Sequence, residues 1–171
     1  FEGDNNASAG DAGGKPTSGL IGMEYAPLNT RKLKEATCKK WGYGVGNYKG
    51  HIVQAANYRD LEGKLVGQKI RFPGKKFSIL GAPRRVPKLL YGGHLWPAGG
   101  KLLVITEGEL DALSVNQAQG LKWPVVSVSA GAAAASKCVA ENLEYVESFD
   151  SVVFMFDQDA PGQDASKKCA E

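Results

Sequence analysis

Apolar and polar positions change their rhythm near residue 100. Before it, short apolar and aromatic runs ("YGVGNY", "HIVQAANYRD", "LVGQKIRF" and "KKFSIL") are separated by Lys49-Gly50, Glu62-Gly63 and Pro73-Gly74. Such dipeptides are turn formers, so the runs predict an antiparallel meander. Upstream, "NTRKLKEATCKKWGYG" predicts a short helix around Lys32 to Lys40, started at Thr30 and stopped by Gly42. After Gly100 the pattern alternates. "KLLVIT", "WPVVSVSAG" and "SVVFMFD" read as strands, and "EGELDALSVNQAQG", "AAAASKCVAENL" and "PGQDASKKCAE" supply helices between and after them. Strand–helix alternation implies a parallel sheet covered by helices. The expected fold class is α+β / α/β, a β-rich antiparallel part followed by a parallel sheet with flanking helices. The expected boundaries are a flexible linker over 1–20, a basic N-terminal subdomain over 21–98 and a second subdomain over 99–171. The chain starts at Phe1 without a methionine and reads as a piece of a longer protein.

Composition narrows the class. With 43% apolar and 23% charged residues the chain is ordinary globular material. No apolar stretch approaches the roughly 20 residues of a membrane span. Cys38, Cys138 and Cys169 are too widely spaced for a disulfide framework or a C-x-x-C metal site, which suits a reducing, cytosolic compartment. His51 and His94 read as surface or turn residues rather than ligands. The net charge of +3 conceals an asymmetry. From Lys64 to Lys101 there are nine basic residues and no acid, whereas Glu107 to Glu171 holds eleven acids and four bases. Bases beside clustered acids suggest a polyanion held against a metal site.

The acids follow the strands. "VVFMFDQDAPG" is an apolar run expected to be buried on both faces, and it ends in Asp157 and Asp159, which share a face if the chain stays extended. "LLVITEGELD" places Glu107 just after another strand, then Glu109 and Asp111. In a parallel sheet both strand ends lie on the edge where ligands gather. Carboxylates gathered there repel one another unless a cation sits between them, and Mg²⁺ is the hard, oxygen-seeking choice. Taken singly, each acidic segment reads equally well as a helix cap.

Together, "ITEGELDAL" and "FMFDQDAPG" resemble the signature motifs of the TOPRIM fold, E-G-x-x-D and D-x-D-x-x-G, each after a hydrophobic strand. The fold occurs in DnaG-type primases, topoisomerases and some nucleases. "VQAANYRDLEGKLVGQKIRF", "LYGGHLWPAGGKLLVITEGELDAL" and "WPVVSVSAGAAAASK" resemble the primase part of phage bifunctional primase–helicases, relatives of the mitochondrial helicase Twinkle. The resemblance runs over about residues 21 to 171. It implies a DNA primase core, making short RNA primers on single-stranded DNA by metal-dependent nucleotidyl transfer, with the second subdomain a TOPRIM-type sheet truncated at its C-terminus.

By that resemblance Glu107, Asp157 and Asp159 are catalytic and carry the metal with Asp111, while Glu109 supports the site. Lys69 and Lys75 bind nucleotide phosphates, and Arg59, Arg71, Lys76, Arg84 and Arg85 track DNA. Mg²⁺, with Mn²⁺ as substitute, is the implied cofactor; zinc belongs to an upstream module absent from this chain. Implied partners are a single-stranded DNA template, ribonucleoside triphosphates, replisome components such as DNA polymerase, and a helicase domain in the same parent chain. No membrane is expected; the setting is cytoplasmic, that of the host if the protein is phage-encoded. Gly93 departs from the pattern, since relatives often carry a basic or polar residue there. Two alternatives stay open: another TOPRIM enzyme (a nuclease or topoisomerase), or a non-catalytic DNA-binding and assembly module of a helicase. "SAGAAAASK" is either a helix N-terminus facing a phosphate or a plain loop and helix, and Trp96 and Trp123 are read as packing residues.

Overall fold

A computed structural model describes residues 19–74 and 76–171. The nucleotide-binding expectation at Lys75, and most of the 1–20 linker, fall outside the described residues.

Helix α1 (Glu35–Trp41) precedes four strands, β1 (Tyr43–Tyr48), β2 (His51–Arg59), β3 (Leu65–Arg71) and β4 (Phe77–Gly81). They pair in sequence order, each antiparallel to the next. The first hairpin is set by chemistry at its tip. Lys49 and Gly50 both have positive φ, +51° and +79°, the geometry that tight hairpins need. Asn47 Oδ1 accepts the Gly50 N–H at 3.1 Å and closes the turn. The predicted meander is present, with α1 shifted three residues downstream of the expected start.

The second sheet is parallel, in the order β6 (Val125–Ser127), β5 (Leu103–Thr106), β7 (Val152–Met155). Helix α2 (Glu109–Ala118) follows β5, α3 (Ala135–Ala140) and α4 (Leu143–Glu147) follow β6, and α5 (Ala160–Ala170) follows β7. Together the sheets give the expected fold class. No helix among the described residues is long and apolar enough to cross a membrane.

Three sequence expectations are corrected. The segment "AAAASKCVAENL" is not one helix: a 3₁₀ turn at Ala132–Ala134 leads into α3, and α4 begins beyond Asn142. Asn142 donates to the carbonyls of Cys138 and Lys88, both at 2.7 Å, which ties the break to the neighbouring basic loop. β7 is not buried on both faces. It is an edge strand of the sheet among the described residues, and Val153 and Met155 are 45% and 53% exposed. An apolar run does not by itself distinguish an edge strand from an interior one. Trp123 is 63% exposed in the turn before β6, whereas Trp96 packs as expected and donates Nε1–H to the Val125 carbonyl at 2.8 Å.

The sheets share an apolar cluster that includes Trp41, Tyr58 and Val66 from one side and Val104, Leu113 and Val125 from the other. Tyr91 lies between them, stacked near Tyr58 (5.0 Å) and Trp41 (5.6 Å), and its hydroxyl donates to the Trp41 carbonyl at 2.7 Å. Polar ties reinforce the join. Trp41 Nε1–H donates to Asn116 Oδ1, and Gln117 bonds Lys34, Thr37 and the Lys32 carbonyl. The buried Asn116 amide and the partly exposed Gln117 amide, satisfied in this way, fix the register of α1 on α2.

One close approach governs the edge of interest. A Cβ on Gly162, in the first turn of α5, would fall inside the van der Waals surface of the Asp157 carbonyl oxygen. Helix propensity alone favours Gly→Ala by about 1 kcal/mol. Gly162→Ala is nonetheless expected to destabilise by about 1–3 kcal/mol, the usual cost of overpacking. Urea unfolding reads the sign, and a neutral or stabilising result would contradict the packing described.

Candidate active site

A cavity of about 680 Å³ lies between the two sheets. Its acidic wall comes from the carboxyl ends of β5 and β7 and the first turn of α2: Glu107, Glu109, Asp111 and Asp157. Facing them are Lys69 and Arg71 from β3, with Arg31 at one side. Its volume is that of an ordinary small-ligand site.

Each acid is held differently. Glu107 accepts the Asp157 N–H at Oε2 (3.2 Å) and the Ala132 N–H at Oε1 (3.4 Å), so it bridges the β7 end to the loop after β6. Asp111 lines the cavity with part of its surface still in water; partial desolvation, followed by the charge of Asp157, raises its carboxyl above the ordinary aspartate value. Arg31 pulls it back, and Glu107 and Glu109 push it up further. Glu109 Oε1 accepts from the Tyr58 hydroxyl at 2.5 Å and from Lys69 Nζ at 2.7 Å. These partners lie 51 and 40 residues away in sequence, the second count being 109 minus 69. Burial first, and the Glu109 charge second, raise the Tyr58 phenol well above its ordinary value, which keeps it a neutral donor.

The structure brings Glu107, Asp111 and Asp157 to the cavity but not Asp159. The strand ends at Met155, so the extended alternation that put the two aspartates on one face stops before them. Asp159 Oδ1 instead accepts the Gly162 N–H at 2.9 Å and caps α5. Among the described residues no three acidic, histidine or cysteine side chains converge closely enough to enclose a metal ion. The hard oxygen donors of Glu107, Asp111 and Asp157 suit the alternative, in which Mg²⁺ binds through one or two carboxylates and takes its other ligands from water and substrate phosphates. The Asp157 charge, second to desolvation in raising Asp111, is a repulsion that such a cation would relieve.

The basic residues divide as well. Lys69 donates to the Ser129 carbonyl at 2.6 Å, in addition to its pairing with Glu109. Arg71 lies over the Phe77 ring, 5.9 Å from its centroid, and lines the cavity. Arg59 is not in the cavity; its guanidinium closes the β2–β3 turn on the Gly63 carbonyl at 2.8 Å. Lys76, Arg84 and Arg85 are exposed, and Arg85 stands 3.8 Å from Asp60. His94 is half-buried in a 3₁₀ turn, and burial pushes its imidazole down to about 4. Sequence reasoning missed Arg31, Tyr43, Tyr58 and Ser129. None lies in the two acidic motifs; Tyr58 and Ser129 fall in segments that carry the resemblance but were given no role there, and strand pairing and loop folding bring all four to the site. "SAGAAAASK" is a short loop, the 3₁₀ turn and the start of α3, and its Ser129 carbonyl and Ala132 N–H are bonded to Lys69 and Glu107.

A carboxyl whose proton is held more tightly in the fold favours the fold at low pH, and that contribution is lost as pH rises through the folded-state value. Asp111→Asn is therefore expected to raise the thermal midpoint at pH 7 in cation-free buffer. The gain should fade as the pH falls below about 4, where aspartates protonate in both states. A lower midpoint at pH 7 would show that the Asp111 charge stabilises the fold, against the cause given above.

Comparison with known proteins bears on this arrangement. Residues 23–81 match the family model for the N-terminal α+β fold of the bacteriophage T7 DNA helicase/primase, and residues 104–171 match a Toprim-like model. The DNA helicase/primase of Enterobacteria phage T3 is 41% identical over 147 residues, covering 86% of this chain and 25% of that protein. The chain thus spans a quarter of the length of that curated relative. The primase fragment of the bacteriophage T7 primase-helicase superposes with a TM-score of 0.81 at 38% identity, covering 95% of this chain and 68% of that one. A T7 primase domain, seen with the lagging-strand DNA polymerase, an RNA/DNA hybrid and dTTP, gives 0.81 at 41% identity, covering 87% and 74%. With both halves of the cavity inside the matched spans, the chain belongs to the primase region of the phage T7-type DNA primase–helicases.

Proposed function

We propose that this chain is the catalytic core of a DNA primase within a replicative primase–helicase, and that it condenses ribonucleoside triphosphates into short primers on single-stranded DNA. The observation that carries the reading is the cavity itself, with carboxylates on the wall built by β5, β7 and α2 and cations on the wall built by β3. A triphosphate needs both walls. When bound, Mg²⁺ or Mn²⁺ would supply electrostatic stabilisation of the charge that develops as a 3′-hydroxyl displaces pyrophosphate from an α-phosphorus. Glu107, Asp111 and Asp157 are the residues that would hold it. Lys69 neutralises phosphate oxygens as a compact charge, and Arg71 and Arg31, which also line the cavity, add planar, multidentate donors. Lys75 is assigned to the same triphosphate by the resemblance. Arg59, with exposed Lys76, Arg84 and Arg85, forms the set assigned to the template backbone, where phosphate contacts position without reading sequence.

Partners follow from the relatives. The T7 primase domain bound to an RNA/DNA hybrid and dTTP beside a polymerase supports template, nucleotides and a replicative polymerase as partners here. A helicase domain in the same parent chain completes the reading, with the upstream zinc module and the host cytoplasm implied by the resemblance. The domain division proposed is 1–20, 21–98 and 99–171.

A second reading, a non-catalytic DNA-binding and assembly module, draws on one observation: Asp159 is occupied as a helix cap. One assay separates them. Template-directed condensation is measured with the full primase–helicase chain on single-stranded DNA, with and without Mg²⁺ or Mn²⁺. Primase activity predicts metal-dependent oligoribonucleotides, reduced about 100-fold or more by Asp157→Ala. Lys69→Ala should raise the nucleotide KM about tenfold or more, as loss of a charged hydrogen bond would. Salt-sensitive, metal-independent DNA binding with no product would favour the second reading.

A further inference from the structure

Glu109 stands between Glu107 and Asp111 in sequence, yet its contacts set it apart from them. Its Oε1 takes two donors, the Tyr58 hydroxyl and Lys69 Nζ, at 2.5 and 2.7 Å. Tyr58 is fully buried, its ring held 5.0 Å from Tyr91, so its hydroxyl has one place to go. Lys69 Nζ also donates to the Ser129 carbonyl at 2.6 Å and sits 4.9 Å from the centroid of the Phe77 ring. An ammonium has three N–H donors. Two are occupied by fixed protein oxygens, which leaves one for an oxygen in the cavity that Lys69 lines.

We infer that Tyr58 is a positioning residue for nucleotide binding: its hydroxyl anchors Glu109, and Glu109 in turn holds the Lys69 ammonium where a triphosphate oxygen can take its remaining N–H. This deepens the primase reading and rests on it. Glu109 then belongs with the nucleotide cation rather than with the metal-holding acids, although it lies inside the acidic motif. The geometry gives a reason for the buried phenol. Without its hydroxyl bond, the Glu109 carboxylate is free to follow the ammonium or to turn toward a cation in the cavity. Either motion moves Lys69 off its site.

The test is the KM for ATP in template-directed primer synthesis by the full primase–helicase chain in Mg²⁺, which reads the primase site and not the helicase's own nucleotide site, for wild type, Lys69→Ala, Tyr58→Phe and the double variant. Thermal midpoints and Mn²⁺ titrations are recorded alongside. Lys69→Ala is expected to raise this KM about tenfold or more. Tyr58→Phe should raise it about fivefold in the wild-type background and have no further effect in Lys69→Ala, the signature of residues acting as one unit. The Mn²⁺ midpoint should be unchanged in Tyr58→Phe. Glu109→Gln keeps an acceptor for the Tyr58 hydroxyl while removing the charge that holds Lys69, so it tests the second link: the KM for ATP should rise with Lys69 present and no further in Lys69→Ala. An unchanged KM in Tyr58→Phe, or an equal rise with and without Lys69, would overturn the inference, even with a lowered thermal midpoint. If Lys69→Ala itself leaves the KM unchanged, the nucleotide reading of the cavity fails, and the inference falls with it.

Discussion

The contact between Lys69 and Glu109 is the point where the two sheets become one site. Both side chains are largely withdrawn from water, 15% and 12% exposed. Burying two charges costs several kcal/mol per ion, and their mutual attraction offsets this only when further hydrogen bonds complete the geometry. Here the Tyr58 hydroxyl and the Ser129 carbonyl provide them. Such a pair is a poor device for stability, since hydrophobic replacements often do as well. It is a good device for placing a cation beside acids without letting the two collapse together. The pair spans β3 and the start of α2, so the distance between the basic and acidic walls is fixed where chemistry needs it fixed.

From this constraint the acids acquire different tasks. Glu109 answers the lysine, and Asp159 ends in a cap on α5. Glu107 bonds the backbones at the end of β7 and of the loop after β6, which ties three segments of the edge together. Asp111 and Asp157 are left with their mutual repulsion, moderated by Arg31. A cluster of like charges at a sheet edge is thus resolved partly by protein donors and partly by the need for a cation. On the proposed reading, phosphates and metal would complete the site together, because the described residues supply too few converging oxygens to enclose an ion alone.

Much of this could be read from residues. The meander was legible because its turns carry their own chemistry, Lys49-Gly50 most clearly. The strand-end acids were legible because two apolar runs each end in carboxylates on the same edge of a parallel sheet, although Asp159 is the helix cap that either segment alone could supply. Tyr58 was not, since a tyrosine in "QAANYRD" looks like core until the sheet brings Glu109 beside its hydroxyl. Arg31 was hidden in a segment read only as the entrance to a helix. The exposed face of β7 was misread for a related reason: hydrophobicity reports that a strand belongs in a sheet, not how many neighbours it has. Local chemistry is written in sequence order, whereas the partners of Lys69 and Glu109 are set by topology.

The central claim is that the acidic motif is divided, with Glu109 assigned to the lysine and Glu107, Asp111 and Asp157 to the metal. Crystals of the protein soaked in Mn²⁺ would test it directly through anomalous scattering. The account predicts a peak ligated by Asp157 together with Glu107 or Asp111, with Glu109 still bonded to Lys69 and Tyr58. A manganese ion ligated by Glu109, with Lys69 released from it, would contradict the account.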